Sequence, residues 1–229
     1  MSEPPIDEQT VERIEAFFDY FGRELHAITE VVREVHQLLL SVAVLDTLAR
    51  SRYPELNQGK NKKRFTRLIK EHSDWPDAAR VSLPQLAMRV EREGGTIDRK
   101  FAANIQDRMR NWTHGSIYKL DADPAENELE APSDKEWKLV RAATHCNLLY
   151  TERSCLVHEL RRKGHGMHFT GEDTPYYHSM TWDDKTTWEL VYPPKFVLSL
   201  VEPVIASLRS HFRSQGTNPY SSFDFGSIW

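Results

Sequence analysis

The sequence predicts a mainly all-α fold with one small β-hairpin near residues 176–192. Three observations carry that reading. Apolar residues recur at helical spacing over most of the chain, proline and glycine are confined to a few short interruptions, and only 176–192 is dense in aromatic and β-branched residues. The 229 residues are read as a single domain, 1–229, long enough to bury a sizeable core.

From Thr10 to Tyr53 there is no proline and one glycine, Gly22. Ile28, Val31, Val32, Val35, Leu38, Leu39, Val42, Leu45 and Leu48 follow a helical period, which predicts one long helix or two collinear ones. Pro54, Asn57 and Gly59 interrupt it. A short amphipathic helix follows, with Phe65, Leu68 and Ile69 opposite the basic residues Lys60, Lys62, Lys63, Arg64, Arg67 and Lys70. After Asp74-Trp75-Pro76, Ser82 caps a helix that has Pro84 in its first turn and ends at Gly94-Gly95; Thr96 caps the next, through Trp112. Residues 113–132 are acidic and aperiodic, and read as a mobile loop. Ser133 and Glu136 match a capping box opening a long helix to Leu160, with Gly164 as its stop.

Tyr176–Trp182 and Thr186–Tyr192 flank Asp183-Asp184-Lys185 as a hairpin. Pro193-Pro194 then opens a last amphipathic helix over 196–212, kinked by Pro203. The tail 216–229, with Tyr220, Phe223, Phe225 and Trp229, is too aromatic for free solution and is expected to pack on the domain or a partner.

Hydrophobic residues at 39% and a formal charge of -4 fit a globular protein and exclude one that coats nucleic acid over its whole surface. No apolar run has bilayer length, and the acidic start Met-Ser-Glu-Pro-Pro lacks the order of a secretion signal, so a soluble cytoplasmic protein without membrane contact is expected. Cys146 and Cys155 stand about 13 Å apart along one expected helix, too far to bridge each other.

Arg153 and His158, in Tyr150-Thr-Glu-Arg-Ser-Cys-Leu-Val-His-Glu-Leu160, pair a permanent cation with a side chain that exchanges protons near neutral pH. That is equipment for cleaving RNA without a metal: the ribose 2′-hydroxyl is the nucleophile, the imidazole moves its proton, and the guanidinium holds two phosphate oxygens. Arg161, Arg162 and Lys163 follow, and could hold phosphates, with His168 or Trp182 available to stack on a base. The alternative is a basic helix end and an arginine paired with Glu152, Glu159 or Asp46. Positions five apart on a straight helix are about 140° apart around it, so either the helix begins near Arg153 or a second copy completes the site. Asp46 and Arg50 form an i,i+4 pair on the first helix; Asp46 could also orient His158, and Asn147 could line the same cleft. His158, His165 and His168 lack the spacing of a metal site, and there is no phosphate-binding Gly-rich loop, nucleophile elbow or CxxC, so neither metal nor cofactor is expected.

The Arg-x4-His motif on a late helix, with a long first helix and a closing helix after a diproline, resembles the HEPN superfamily over residues 25–210. The resemblance implies an antiparallel helical bundle and a homodimer whose composite site holds Arg153 and His158 from both subunits, with Ser154 beside the arginine. Where Ser154 stands the family more often has asparagine, aspartate or histidine. It implies a metal-independent endoribonuclease leaving 2′,3′-cyclic phosphate ends, in a toxin-antitoxin or phage-defence setting with RNA as substrate and an antitoxin or defence protein as partner. The alternative is a non-catalytic module of this type that binds RNA, a nucleotide or a partner protein.

Overall fold

A computed structural model describes residues 7–56, 59–164, 171–182 and 185–223. The chain is mainly helical and forms two compact units, residues 1–75 with 197–229, and residues 76–196. Among the described residues no helix is long and apolar enough to cross a membrane.

The first unit is built on α1 (Glu8–Thr29), α2 (Glu34–Arg52), α3 (Asn61–His72) and α9 (Val201–Gln215). Asp7 caps α1, its carboxylate accepting from Thr10 N at 2.9 Å. The first two helices are not collinear: Tyr20 and Thr47 line one groove, so α2 runs back along α1. The break falls at 30–33 without glycine or proline. Thr29, Val31 and Val32 put three β-branched residues of poor helix propensity into four positions, and Val32, expected in the apolar stripe, is 95% exposed. Phe17, Phe18 and Phe21 fill the unit's interior, and Phe17 meets Tyr220 edge-on at 5.0 Å. That contact, with Phe223 6.3 Å from Phe17, docks the start of the aromatic tail; Phe225 and Trp229 lie outside the described residues. Arg213 and Arg209 on α9 hold Glu15 and Asp19 on α1, each at 2.7 Å.

Pro203 interrupts the closing helix as its chemistry requires. It has no N–H for the Ser199 carbonyl, and the chain splits into α8 (Pro194–Ser199) and α9 at Leu200.

The second unit begins with a 3₁₀ turn at Pro76–Ala79, followed by α4 (Leu83–Glu93) and α5 (Arg99–Met109). Ser82 caps α4, accepting from Gln85 N at 3.3 Å. The next cap is Asp98, not Thr96: its carboxylate accepts from Lys100 N and Phe101 N, both at 2.9 Å. The acidic stretch 113–132 carries β1 (Ile117–Lys119) and two 3₁₀ turns where one long loop was expected. β1 adds a third antiparallel strand to the predicted hairpin, which is present as β2 (Tyr176–Trp182) and β3 (Lys185–Val191), in the order β1-β2-β3. Leu120 and Leu129, buried within the acidic run, anchor it.

The expected long helix over 133–160 is two, α6 (Asp134–Ala142) and α7 (His145–Glu159). Between them Thr144 is extended and bridges Val81, with Ser82 N to Ala143 O and His145 N to Arg80 O, each 3.0 Å. The capping box at α6 is not reciprocal. Ser133 accepts from Lys135 N and donates to Glu136, while Glu136 accepts from the Asp98 amide at 3.1 Å and so ties α6 to the start of α5. As expected, α7 ends before Gly164. It stops at Leu160, which adopts a left-handed φ of 50°. The cause is Glu152, whose buried carboxylate is satisfied only when the chain turns back to bring the Lys163 amide to 2.8 Å and Arg162 to 3.6 Å.

Candidate ligand cleft and the Arg153–His158 helix

α7 places Arg153 and His158 apart. Arg153 is 8% exposed, with its guanidinium 5.6 Å over the Tyr150 ring, while His158 is on the exposed last turn. The helix begins at His145, so Arg153 sits mid-helix and the condition that the helix start near it is not met. Five residues of regular helix separate the two side chains by about 140°, and within one chain they do not face one point. Ser154 is half-buried between them.

The flanking basic run divides. Arg161 is exposed and pairs with Glu159 at 2.5 Å. Arg162 is structural: beyond its contact with Glu152 it donates to the Tyr192 carbonyl at 3.0 Å. Lys163 is exposed and borders the cleft described below. His168 lies outside the described residues, as does His165. The Asn147 amide donates to Arg141 O at 2.7 Å and Thr144 Oγ1 at 2.8 Å, closing the α6–α7 junction. Asp46 belongs to the first unit and His158 to the second. Arg50 lies 5.2 Å over the Phe223 ring. Cys146 and Cys155 are buried free thiols, and among the described residues no group of three His, Cys, Asp or Glu side chains is placed to hold a metal.

Two other constellations in the second unit were not foreseen. The first is sealed. Asp123, from the supposed loop, is 1% exposed; its Oδ2 receives His145 Nε2 at 2.8 Å and Tyr177 O–H at 2.6 Å, and its Oδ1 receives the Leu83 amide at 2.9 Å. His145 Nδ1 is 3.0 Å from the Tyr192 hydroxyl. Burial, with the Asp123 carboxylate adding to it, pushes the Tyr177 hydroxyl well above its usual range; burial does the same to Tyr192. No side-chain surface of His145 or Asp123 reaches solvent, so the quartet joins strand, turn and helix and does no chemistry on a ligand.

The second is open. A cleft of about 540 Å³ lies between α4, α7 and β3. Gln85, Met88, Arg89 and Arg92 recur at i, i+3, i+4 and i+7, so one face of α4 forms a wall while Leu86, Ala87 and Val90 take the other face into the core. Leu148, Thr151 and Glu152 line it from α7, and Thr187 to Leu190 from β3. Trp188 is fixed by edge-on contacts with Trp112 at 5.1 Å and Tyr118 at 5.3 Å. At the rim Gly164, with φ of 72°, comes so near Glu189 that a Cβ there would collide with the Glu189 Oε1.

The charges of this cleft are unevenly satisfied. Glu152 is held by Arg162 and the Lys163 amide, though burial still pushes its carboxyl up. Glu189 approaches His178 at 3.5 Å. Arg89 and Arg92 have no carboxylate partner among the described residues, and the Arg89 Nε is buried with no hydrogen-bond partner. Burial, then the neighbouring Arg92, pushes the Arg89 guanidinium down from its usual range. A buried N–H donor on a permanent cation costs on the order of 1–3 kcal/mol when unpaired, more than a surface position needs to tolerate. The sequence signal for this site was present in the Gln85–Arg92 spacing, but its partner wall, β3, is distant in the chain. No protein-family model, curated protein or solved structure matches this chain.

Proposed function

We propose that this protein is a binding module whose second unit takes an anionic ligand with a flat body, of nucleotide size, in the cleft between α4, α7 and β3. One observation carries the reading: Arg89 brings a cation whose Nε is buried and, among the described residues, without a partner into a cleft walled by Trp188, Met88 and Leu190. A phosphate accepts from the Arg89 and Arg92 forks, and a base lies along the apolar wall. The volume suits one mononucleotide. Adenosine monophosphate is the probe, titrated calorimetrically against wild type, Arg89→Met and Trp188→Ala. Arg89→Met is expected to weaken binding by about tenfold or more, corresponding to loss of a charge-assisted pair. Absence of wild-type binding, or equal binding by Arg89→Met, removes the proposal.

A second reading is the metal-independent endoribonuclease that the HEPN resemblance implies, with Arg153 and His158 from two subunits, Ser154 beside them, and Arg161 and Lys163 toward the RNA. What favours it is that His158 and Arg161 are exposed together at the end of α7. Its cost is the burial of Arg153, which a dimer would have to relieve. Labelled single-stranded RNA incubated in EDTA decides it: cutting by wild type but by neither Arg153→Ala nor His158→Ala supports the enzyme, and intact RNA throughout sinks it.

A further inference from the structure

The first unit carries a basic constellation unrelated to the cleft. Arg52, in the last turn of α2, lies 4.7 Å over the Tyr53 ring, and His72, in the last turn of α3, has its ring 6.4 Å from the same tyrosine. His72 Nδ1 is 2.8 Å from the Ser207 hydroxyl of α9, and the His72 ring is 6.3 Å from that of His211, one turn further along α9. Three helices thus bring one arginine, two histidines and a hydroxyl together.

The acidic side of the account is short. Glu71 is the carboxylate at hand, and it is already engaged: Tyr53 O–H donates to it at 2.7 Å and Arg67 Nε at 2.8 Å, while Arg67 also reaches Glu55 at 3.6 Å. Arg52 has no carboxylate partner among the described residues. Its Nε and the Nε2 of His72 are both buried with no hydrogen-bond partner among the described residues. Two orphaned nitrogens and a permanent cation in one place are a cost that an incoming acceptor removes.

We infer that Arg52, His72, His211 and Ser207 form a binding site for a small tetrahedral oxyanion such as phosphate or sulfate. The guanidinium supplies a planar fork of donors, and each imidazole adds another. The Ser207 hydroxyl serves His72 from the other nitrogen. The groups that face His72 set its response: Arg52 from α2, Glu71 and Arg67 from α3, and His211 from α9. Burial, then Arg52, holds both imidazoles below their usual range in the unliganded protein, so a bound dianion is expected to draw protons to them and to bind more tightly as pH falls.

Sulfate is the probe, because its own charge does not change over the range used. The full chain is titrated with sulfate at constant ionic strength in chloride at pH 5.5, 6.5 and 7.5, with thermal melting and the histidine ring resonances as readouts. Expected are perturbed His72 and His211 resonances, a raised Tm, and an apparent affinity that rises about tenfold from pH 7.5 to 5.5, the size of one added charge-assisted donor. Arg52→Gln abolishes the response, and His211→Asn, a milder change kept in case Arg52→Gln does not fold, weakens and flattens it. Arg89→Met leaves it intact, which separates this site from the cleft. Silent histidines in wild type, a pH-independent affinity, or an Arg52→Gln or His211→Asn protein that responds like wild type overturns the inference.

Discussion

The two polar constellations of the second unit use similar residue types in opposite ways. Around Asp123 a carboxylate, an imidazole and two phenols are sealed from solvent, and Asp123 takes three hydrogen bonds from side chains and backbone. Around Arg89 a cation is half-buried beside an open volume, and its Nε has no partner among the described residues. Folding satisfies the first internally because an uncompensated buried charge costs several kcal/mol. The second leaves a donor unmatched, which the fold tolerates where an external acceptor completes it. The contrast teaches that partner count, and not the catalytic repertoire of the side chains, separates a structural cluster from a binding site.

That contrast breaks first at Asp123. Asp123→Ala strands His145 and Tyr177 in the interior and is expected to cost about 3–5 kcal/mol in urea melts; a loss under 1 kcal/mol would mean that the quartet is not what holds β2 to the start of α4. Arg89→Met should behave oppositely, leaving stability within about 0.5 kcal/mol or raising it, since a desolvated cation without a partner is removed.

An intermediate effect belongs to His72. Its folded-state pKa is lowered from 6.5 to about 4, so below pH 6.5 the unfolded chain takes up a proton that the folded chain refuses. Stability is therefore lost as pH falls from about 6.5 toward 4, by up to about 2 kcal/mol at pH 5 in chloride buffer. His72→Asn should flatten that slope, and an unchanged slope would place the acid sensitivity elsewhere.

At the cleft rim, Gly164→Ala forces a side chain into a left-handed φ against Glu189, with an expected loss of about 1–2 kcal/mol and weaker ligand binding together. The smallest effect is at the exposed Arg161–Glu159 pair, where Arg161→Ala should move stability by less than about 0.5 kcal/mol.

How much of this was legible in the sequence follows the range of the interactions. Ser82 with Pro84, the hairpin over 176–192 and a disturbance of the closing helix by Pro203 were readable because each rests on neighbours in the chain. What escaped was non-local. The α6–α7 break is imposed by Val81, more than sixty residues upstream of Thr144, and Glu136 looks like half of a local box until Asp98 arrives to claim it. Asp123 could not be told from its acidic neighbours, whose charge pattern hides the one carboxylate that His145 and Tyr177 enclose. For Arg153 and His158 the spacing already gave the angle of about 140° between the two side chains; what it did not give is that tertiary packing buries the arginine and leaves the histidine exposed.

The cleft's claim to be a binding site is tested most directly by ligand-linked stability. Urea melts of wild type and Arg89→Met are compared with and without adenosine monophosphate, the ligand held at one hundred times its wild-type Kd. The account predicts a gain of about 2.7 kcal/mol for wild type and less than about 1.5 kcal/mol for Arg89→Met, in proportion to its weakened affinity. Equal gains in the two proteins, or none in either, would contradict it.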